Sequence, residues 1–342
     1  MQKNGSVEPG KGYIMVENRK IRQWKGILTT VLCVLTICLA VCLAGCGGNG
    51  DKQGGDMRKV TDFTGATVTY PAHPKRVASL SISIDEIVLD LLPPDRIVAV
   101  TRLADDPGIS NVVEKAKAIP NKIQQVTAEN MVALNPDLMI LPDFTKPEVI
   151  QTMRDMGLPV YVYKTQRNFT DVRKEILNIG NLLGEPEKAE ILVADMDAKL
   201  EDLRRKVGDI PPERRQRVLL IRTYGVYYNK ESSFREICRG AGGIDATEVL
   251  DSRNIPTGML GKEMVVELDP DVIVLDNWNY DGKHDPRDQI RDLKADPAYK
   301  NVKAVRNNRI YLLPGEHLMA LSQYMADASV DLAKVLYPDK VR

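Results

Sequence analysis

Apolar residues along this chain fall mostly into short continuous runs that alternate with helical patterns. The runs are rich in Val, Ile and Leu, as is typical of strands buried on both faces. They lie at residues 68–70, 76–80, 96–100, 138–141, 160–163, 217–221 and 309–313. Helical spacing predicts helices at residues 85–92, 147–156, 233–238 and 321–336. This alternation predicts an α/β fold with mostly parallel sheets flanked by helices.

One stretch of the pattern occurs twice, 134 positions apart (263 − 129). Residues 129–141 read ENMVALNPDLMIL, and residues 263–275 read EMVVELDPDVIVL. Each copy predicts a short helix that opens with a glutamate and stops before a proline, which disfavours helix in the preceding residue. A buried strand follows in both. Copies so far apart indicate two similar α/β lobes rather than a short-period solenoid.

The length of 342 residues also favours more than one domain. Between the two copies, residues 170–206 carry one long helical pattern, which Gly184 and Pro186 should interrupt. We expect a signal peptide at 1–46, a tether at 47–58, an N-terminal lobe at 59–168, a linking helix at 169–208 and a C-terminal lobe at 209–342.

The N-terminal segment has the pattern of an export signal. Residues 26–45 are almost wholly apolar and follow four basic residues between positions 19 and 25. The run ends in Leu-Ala-Gly-Cys at 43–46, which resembles a bacterial lipobox. We therefore expect cleavage before Cys46, a lipid on its thiol, and attachment to the outer face of the cell membrane through a Gly/Asn/Asp tether. The alternative is a retained transmembrane anchor, because the run approaches the length that spans a bilayer.

The charge, cysteine and histidine content bears on which partners, disulfides and metal sites the chain can have. The chain has 47 basic and 47 acidic residues, so its net charge gives no support to a nucleic-acid partner. Cys238 is the only cysteine after Cys46, which excludes a disulfide framework in the mature chain. The three histidines have no paired spacing, so no protein-held metal is predicted, although His317 could serve as an axial haem ligand.

Ligands of open α/β sheets bind beyond the carboxyl ends of the strands. The loops expected there also contain Asp143 and Gln166. The candidate ligand-binding residues are Ser81, Ser83, Arg102, Phe144, Arg167, Arg222, Tyr224, Tyr227, Tyr228, Trp278, Tyr280 and His317. Arginine offers planar donors to carboxylate, catecholate or hydroxamate oxygens, and aromatic rings bury organic surface, which together predict an anionic chelate as ligand. The alternative is that the tyrosines pack half-buried and the arginines are merely solvated.

Several motifs together resemble one family. They are RVASLSISIDE at 76–86, RIVAVT at 96–101, IGNLLG at 179–184, AGGID at 241–245 and LKADP at 293–297, in addition to the doubled Glu…Pro-Asp motif. In this order they resemble the substrate-binding lipoproteins of ABC importers for iron-siderophore, haem and cobalamin. The resemblance implies two α/β lobes joined by one long helix, with the ligand between them and an ABC permease and its ATPase as partners.

The resemblance also implies a role for Glu129 and Glu263. In proteins similar to this one, the equivalent glutamate of each lobe pairs with arginines of the permease, so we expect these two residues to dock the protein. The alternative is that each glutamate only complements the dipole at the start of its helix.

The function that these features favour is a non-enzymatic, monomeric, extracytoplasmic lipoprotein without a resident cofactor. It would deliver a metal chelate, foremost a ferric siderophore, to an ABC importer, with haem, a corrinoid or another oxyanion as alternatives. A membrane-tethered chelatase or hydrolase would need a nucleophile and a base, but Ser81 and Ser83 lack a Gly-x-Ser-x-Gly context and an assigned histidine. A solute-sensing partner of a membrane receptor stays open.

Overall fold

The computed structural model describes residues 56–222, 225–253, 255–279, 282–283 and 285–342. The expected signal peptide, Cys46 and most of the expected tether lie outside the described residues. Residues 56–342 form one compact unit. Its first strand begins at Met57, so the last two residues of the expected tether belong to the fold.

The N-terminal lobe contains a parallel sheet and a separate antiparallel pair. Its strands are β1 (Met57–Thr61), β2 (Thr67–Pro71), β3 (Val77–Ser79), β4 (Ile97–Thr101), β5 (Lys122–Ile123), β6 (Leu138–Pro142) and β7 (Val160–Tyr163). Its helices are α1 (Ile82–Leu91), α2 (Val113–Ala116), α3 (Ala128–Leu134) and α4 (Pro147–Asp155). The parallel sheet has the order β5-β4-β3-β6-β7, and β1 pairs with β2. The strands predicted from the apolar runs are therefore confirmed.

The linking segment consists of two helices instead of a single one, and it divides where Gly184 and Pro186 were expected to interrupt the helical pattern. They are α5 (Phe169–Leu183) and α6 (Pro186–Val207). Gly184 ends α5 in the left-handed conformation, with φ 74°, and Pro186 starts the next helix at a position where its missing N–H costs nothing. A Cβ on Gly184 would lie 2.3 Å from Nδ1 of His73, so only glycine fits this contact.

The C-terminal lobe repeats the parallel α/β plan. Its strands are β8 (Arg217–Leu220), β9 (Val226–Tyr228), β10 (Ile244–Asp245), β11 (Gly258–Leu260), β12 (Val272–Asp276) and β13 (Ile310–Leu313). Its helices are α7 (Ser233–Gly240), α8 (Lys262–Leu268), α9 (Pro286–Ala295), α10 (Lys303–Arg306), α11 (Gly315–Leu318) and α12 (Met325–Leu336). The parallel sheet has the order β10-β8-β12-β13, and β9 pairs antiparallel with β11. Neither the β9–β11 pair nor α9 was expected from the sequence pattern.

The two repeat copies occupy the same place in the two lobes. They form α3 with β6 and α8 with β12, and all five residues of β6 and of β12 are buried. Burying a Leu or Ile side chain stabilises the fold by about 1.5–3 kcal/mol. In each copy an aspartate connects the repeat to the lobe's first central strand. Asp137 accepts the backbone N–H of Arg76, and Asp271 accepts that of Arg217.

Candidate ligand-binding site

A polar cavity of about 230 Å³ lies between the two lobes. The N-terminal lobe contributes the loop after β7, and the C-terminal lobe contributes residues after β8, in β9 and at the start of α7. In each sheet the strand that comes first in the chain, β3 or β8, lies inside the sheet with later strands on both sides. Such switch points open a crevice at the carboxyl ends of strands, where open α/β sheets bind ligands.

Gln166 is the most unusual side chain in this cavity. It is only 2 % exposed, yet neither its amide nitrogen nor its amide oxygen has a hydrogen-bond partner among the described residues. Leaving a buried polar group unpaired costs about 1–3 kcal/mol, so such groups in native proteins need a reason. Gln166 therefore offers both a donor and an acceptor to a bound molecule.

Arg222 follows β8 and lines the same cavity. Its Nη1 lies 3.7 Å from Oδ2 of Asp276, beyond hydrogen-bonding distance, so Asp276 does not saturate the guanidinium group. Burial raises the pKa of Asp276, and Arg222 opposes that shift. The backbone carbonyl of Arg222 accepts the N–H of Gly225 at 2.8 Å, which helps to fix the backbone at Arg222. Gly225 has φ 110°, a backbone angle that residues with a Cβ rarely adopt.

Arg167 reaches across the cavity from the N-terminal lobe. Its Nε lies 3.2 Å from Oε2 of Glu231 in the other lobe. Both side chains are substantially exposed, and exposed ion pairs contribute little to stability. Arg167 can therefore exchange Glu231 for an anionic ligand at low cost.

The two tyrosines of β9 point in opposite directions, as alternation along a strand requires. Tyr227 is 53 % exposed and lines the cavity. Tyr228 is fully buried, and its hydroxyl donates to Oδ1 of Asp251 at 3.0 Å. Its ring lies 5.9 Å from the guanidinium carbon of Arg235. Tyr228 is therefore a core residue, which corrects its assignment as a ligand contact.

Trp278 forms a contact between the lobes instead of lining this cavity. Its Nε1 donates to Oδ2 of Asp106 in the N-terminal lobe at 2.9 Å. The indole lies so close to Gly108 that a Cβ there would be 2.4 Å from its Cδ1. A Cβ on Gly315 would also be only 3.0 Å from Cβ of Trp278. Trp278 fits between the lobes because Gly108 and Gly315 have no side chains to crowd it.

Four of the other candidate residues, Ser81, Ser83, Arg102 and Phe144, do not line this cavity. Ser81 caps α1 and shares a 2.6 Å hydrogen bond with the hydroxyl of Tyr163, while Ser83 is buried within α1. Arg102 is exposed, and Phe144 is 73 % exposed. Tyr224 and Tyr280 lie outside the described residues.

His317 is engaged by a carboxylate. Its Nδ1 lies 2.6 Å from Oδ2 of Asp331, and it does not line the cavity. Burial lowers the pKa of His317, but Asp331, Asp327 and Glu316 together outweigh that effect, so the pKa is raised overall. Because His317 lies outside the cavity, it is not placed to ligate a metal carried by a molecule bound there. Among the described residues, no group of three or more His, Cys, Asp or Glu is placed to hold a metal ion.

The cavity also includes residues that the sequence pattern did not single out. They are Thr165, Asn229, Ser232, Ser233, Asp245 and Thr247. Most belong to α7 or to the segments that flank it, and nothing in an isolated sequence shows that this helix begins at the cleft.

Glu129 and Glu263 are both exposed, and each lies in the first turn of its helix. No contact in the described part of the chain distinguishes docking from a local role at the helix start, so docking stays a prediction. Within the described residues, no helix has the length and apolar character needed to cross a membrane.

Two parallel α/β lobes with a polar cavity between the carboxyl ends of their sheets define the class of solute-binding proteins. The chain belongs to the periplasmic binding protein family, whose model matches residues 77–317. The expected likeness to substrate-binding proteins of ABC importers is confirmed.

Relatives and solved structures agree with this class. An uncharacterized ABC transporter substrate-binding lipoprotein, YvrC of Bacillus subtilis strain 168, is 25 % identical over 88 % of this chain and 94 % of its own. The iron-uptake system-binding protein of the same organism is 22 % identical over 82 % of this chain and 89 % of its own. The molybdate-binding protein MolA of Haemophilus influenzae, solved with molybdate bound, superposes with a TM-score of 0.68 at 22 % identity, covering 83 % of this chain and 92 % of that one.

Proposed function

We propose that this protein captures an anionic metal chelate, foremost a ferric siderophore, between its lobes and delivers it to an ABC permease and its ATPase. The observation that carries the proposal is the unpaired amide of Gln166, buried in the same cavity as Arg222. The family membership and the similarity to an iron-uptake binding protein support it.

The chemistry of the cavity suits such a ligand. Arg222 and Arg167 present planar, charged donors to carboxylate, catecholate or hydroxamate oxygens. The exposed ring of Tyr227 provides organic surface, and the Gln166 amide can pair with a donor and an acceptor on the same molecule. A metal carried inside a chelate needs no protein ligand, which is consistent with this set of side chains.

A small oxyanion is a second candidate, and the size of the cavity favours it. Its volume of about 230 Å³ is below the roughly 300–1,000 Å³ typical of sites for drug-sized ligands. The similarity to a molybdate-binding protein points in the same direction. A chelate would require the lobes to separate further, whereas a small oxyanion is compatible with the volume of this cavity, which Arg222 and Gln166 both line.

Haem and corrinoid ligands are less well supported by the cavity. His317, the histidine expected to serve as an axial ligand of haem iron, is paired with Asp331 and lies outside the cavity.

The proposal is tested by titrating the protein with ferric tris-hydroxamate, ferric tris-catecholate, haemin, cyanocobalamin and molybdate. Trp278, the only tryptophan after the expected signal peptide, lies between the lobes and reports a change in their contact by its fluorescence. Micromolar or tighter binding of a ferric chelate supports the leading candidate. Binding of molybdate alone would replace it by the second, and binding of none would contradict both.

We further propose that the mature protein is held at the membrane by a lipid on Cys46 and docks on the permease through Glu129 and Glu263. The lipobox-like sequence and the doubled, exposed glutamates support these assignments.

A further inference from the structure

A second cavity lies within the N-terminal lobe, between the end of β1, strand β7 and helix α5. Its volume is about 260 Å³, and its lining includes Thr61, Phe63, Tyr161, Tyr163, Lys174 and Glu175. Among the described residues it shares only Thr165 with the cavity between the lobes. It is therefore a separate compartment, and neither Gln166 nor Arg222 contributes to it.

Glu175 is the side chain in this cavity that lacks a partner. It is only 7 % exposed, and its Oε1 has no hydrogen bond to any described residue. Its Oε2 has only a 3.5 Å contact with Nδ2 of Asn178, at the limit of a hydrogen bond. A buried carboxyl that is neither paired nor fully hydrogen-bonded is unusual, and in a cavity it marks a candidate binding site.

The other acidic groups of the cavity are already satisfied. Asp62 accepts hydrogen bonds on both oxygens, from Thr64, Ala66, Arg154 and the N–H of Val162. Oδ2 of Asp171 accepts from the N–H of Arg167 and the side chain of Asn168 at the start of α5. Among the described acids of this cavity, only Glu175 has a buried carboxyl oxygen without a hydrogen-bond partner.

The surroundings of Glu175 combine aromatic walls with two exposed lysines. Phe63 is 53 % exposed, whereas Tyr161 and Tyr163 are almost fully buried, and burial raises the pKa of both tyrosine hydroxyls, with a smaller contribution from Glu175. Lys164 and Lys174 also line the cavity, and both are exposed. The interior therefore presents a carboxyl group and aromatic surface, a combination that attracts organic cations through charge pairing and contact with the faces of the rings.

We propose that this cavity is a second binding site, which takes a small organic cation with a primary ammonium group held by the Glu175 carboxylate against Phe63, Tyr161 and Tyr163. A bare divalent metal ion fits less well, because a single available carboxylate is too few oxygen ligands and no metal-binding group is found among the described residues. The site is independent of the cleft ligand, so the proposal does not rest on the identity of that ligand.

Protonation gives the site a characteristic dependence on pH. Burial raises the pKa of Glu175 to about 7, opposed by Asn178 and by the charge of Lys174. An ammonium group binds the ionised carboxylate and not the neutral acid. Affinity should therefore be full near pH 8.5 and fall about tenfold towards pH 6, where most of the carboxyl group is protonated.

The test is a titration of the intact protein with n-butylammonium chloride, followed by amide chemical shifts. Shifts confined to residues 61–63, 161–165 and 171–178, weaker by about tenfold at pH 6 than at pH 8.5, would support the site. Phe63→Ala should weaken binding about two- to fivefold by removing an aromatic wall. Butyrate, which has the opposite charge and a similar chain, should cause no shifts there.

The deciding variant is Glu175→Gln, with Glu187→Gln on the exposed surface of α6 as its control. Glu175→Gln keeps the shape but removes the charge, so it should melt no lower than the wild type at pH 8.5 while losing at least tenfold in butylammonium affinity. Equal binding by Glu175→Gln, equal shifts with butyrate, or no shifts at all at pH 8.5 would each overturn the proposal. Arg222→Ala should leave this binding intact, which separates the outcome from that of the cleft.

Discussion

Asn135 and Asp269 lie 134 positions apart (269 − 135) and share the same left-handed backbone conformation, with φ of 43° and 41°. Each ends the short helix of its repeat copy, and each precedes a proline that leads into a buried strand. The left-handed conformation costs a residue other than glycine about 1–2 kcal/mol, and among such residues Asn and Asp adopt it most often. The repeat is therefore a repeated turn geometry as well as a repeated sequence.

Replacing each of these residues by glycine should have unequal effects. Asn135→Gly should raise the free energy of unfolding by up to about 1 kcal/mol, because glycine adopts positive φ without strain. Asp269→Gly should gain nothing or lose stability, because Oδ1 of Asp269 accepts the N–H of Lys303 at 2.8 Å. Chemical denaturation of both variants measures the difference. Equal stabilisation by the two would show that the Lys303 contact contributes nothing.

The cleft assignment predicts which arginine matters for binding. Arg222→Ala should weaken binding of the ligand found in the panel by about 1.5–3 kcal/mol, because it removes a charged donor from the cavity. Gln166→Leu should also weaken it while leaving or raising stability, since it removes two unpaired buried polar atoms.

Arg102→Ala is the matched control for these variants, because Arg102 is exposed and does not line the cavity. The affinity of the Arg102→Ala variant for the same ligand, measured by the same fluorescence titration, should equal that of the wild type. A loss with Arg102→Ala and none with Arg222→Ala would move the binding site away from the cavity described here.

Much of the fold could be predicted from local pattern, whereas the site could not. Continuous apolar runs such as those of β6 and β12 are buried wherever they occur, so their strands follow from the sequence. Tyr227 and Tyr228 are adjacent, and only the register of β9 decides which one is exposed. The exposure of a side chain in a three-residue strand depends on β11, some 30 residues later, and no local pattern encodes it.

Contacts between the lobes are equally hidden from a single sequence. Trp278 does not line the ligand cavity because its indole packs against Gly108, which lies 170 residues earlier in the chain (278 − 108). Gln166 was recognisable as a loop residue, but its importance comes from the absence of a partner for its amide, which is a property of the packed structure. Arg167, Arg222 and Tyr227 line the cavity because each lies in β9 or within four residues of the carboxyl end of β7 or β8, and their role in binding stays a prediction.

The pH dependence of stability should be set by buried carboxyl groups. Burial raises the pKa of Asp85 and of Glu86 to about 7, from usual values near 4, and hydrogen bonds only partly offset this. Between pH values near 4 and about 7, the folded state binds more protons than the unfolded state. The contribution of these two carboxyl groups to the free energy of unfolding is therefore largest at low pH and is lost as pH rises through about 7. The free energy of unfolding should decrease between pH 5 and pH 8, measured by denaturation at each pH.

Glu86→Gln should flatten part of that slope. The Glu86 side chain bridges the lobes, because it accepts from Asn111 and, at 2.5 Å, from the hydroxyl of Ser322. Glutamine keeps the acceptor for Asn111 and can donate to Ser322, so the variant should be more stable than the wild type at pH 8 by up to roughly 3 kcal/mol. Identical slopes for the variant and the wild type would show that Glu86 does not titrate in this range.

Attachment to the membrane should depend on Cys46. Mass spectrometry of the mature N-terminus should find a diacylated or triacylated cysteine at this position, because small residues precede it and a polar tether follows. Cys46→Ser should abolish the acyl modification, because serine has no thiol to carry the lipid. An unmodified peptide spanning residues 40–50 in the mature protein would contradict the assignment and favour a retained anchor.

Docking through the repeated glutamates can be separated from ligand binding. The variant with both Glu129→Ala and Glu263→Ala should bind ligand as the wild type does, because neither residue lines the cavity. Loss of the helix-dipole interaction should cost at most about 1 kcal/mol of stability per site. Uptake of the radiolabelled ligand by cells should nevertheless collapse, since docking on the permease would lose one charge pair in each lobe.

The control for the docking variant is Glu148→Ala, because Glu148 is also exposed in the first turn of a helix, α4, but lies outside the repeat. Next to the two glutamates, Val132 and Val266 occupy equivalent repeat positions and are 47 % and 36 % exposed, so each lobe offers an apolar contact beside its charge. Val132→Ser with Val266→Ser should therefore also lower uptake without changing ligand affinity. Normal uptake by the double glutamate variant, with Glu148→Ala as reference, would leave Glu129 and Glu263 with no role beyond stabilising the first turns of α3 and α8.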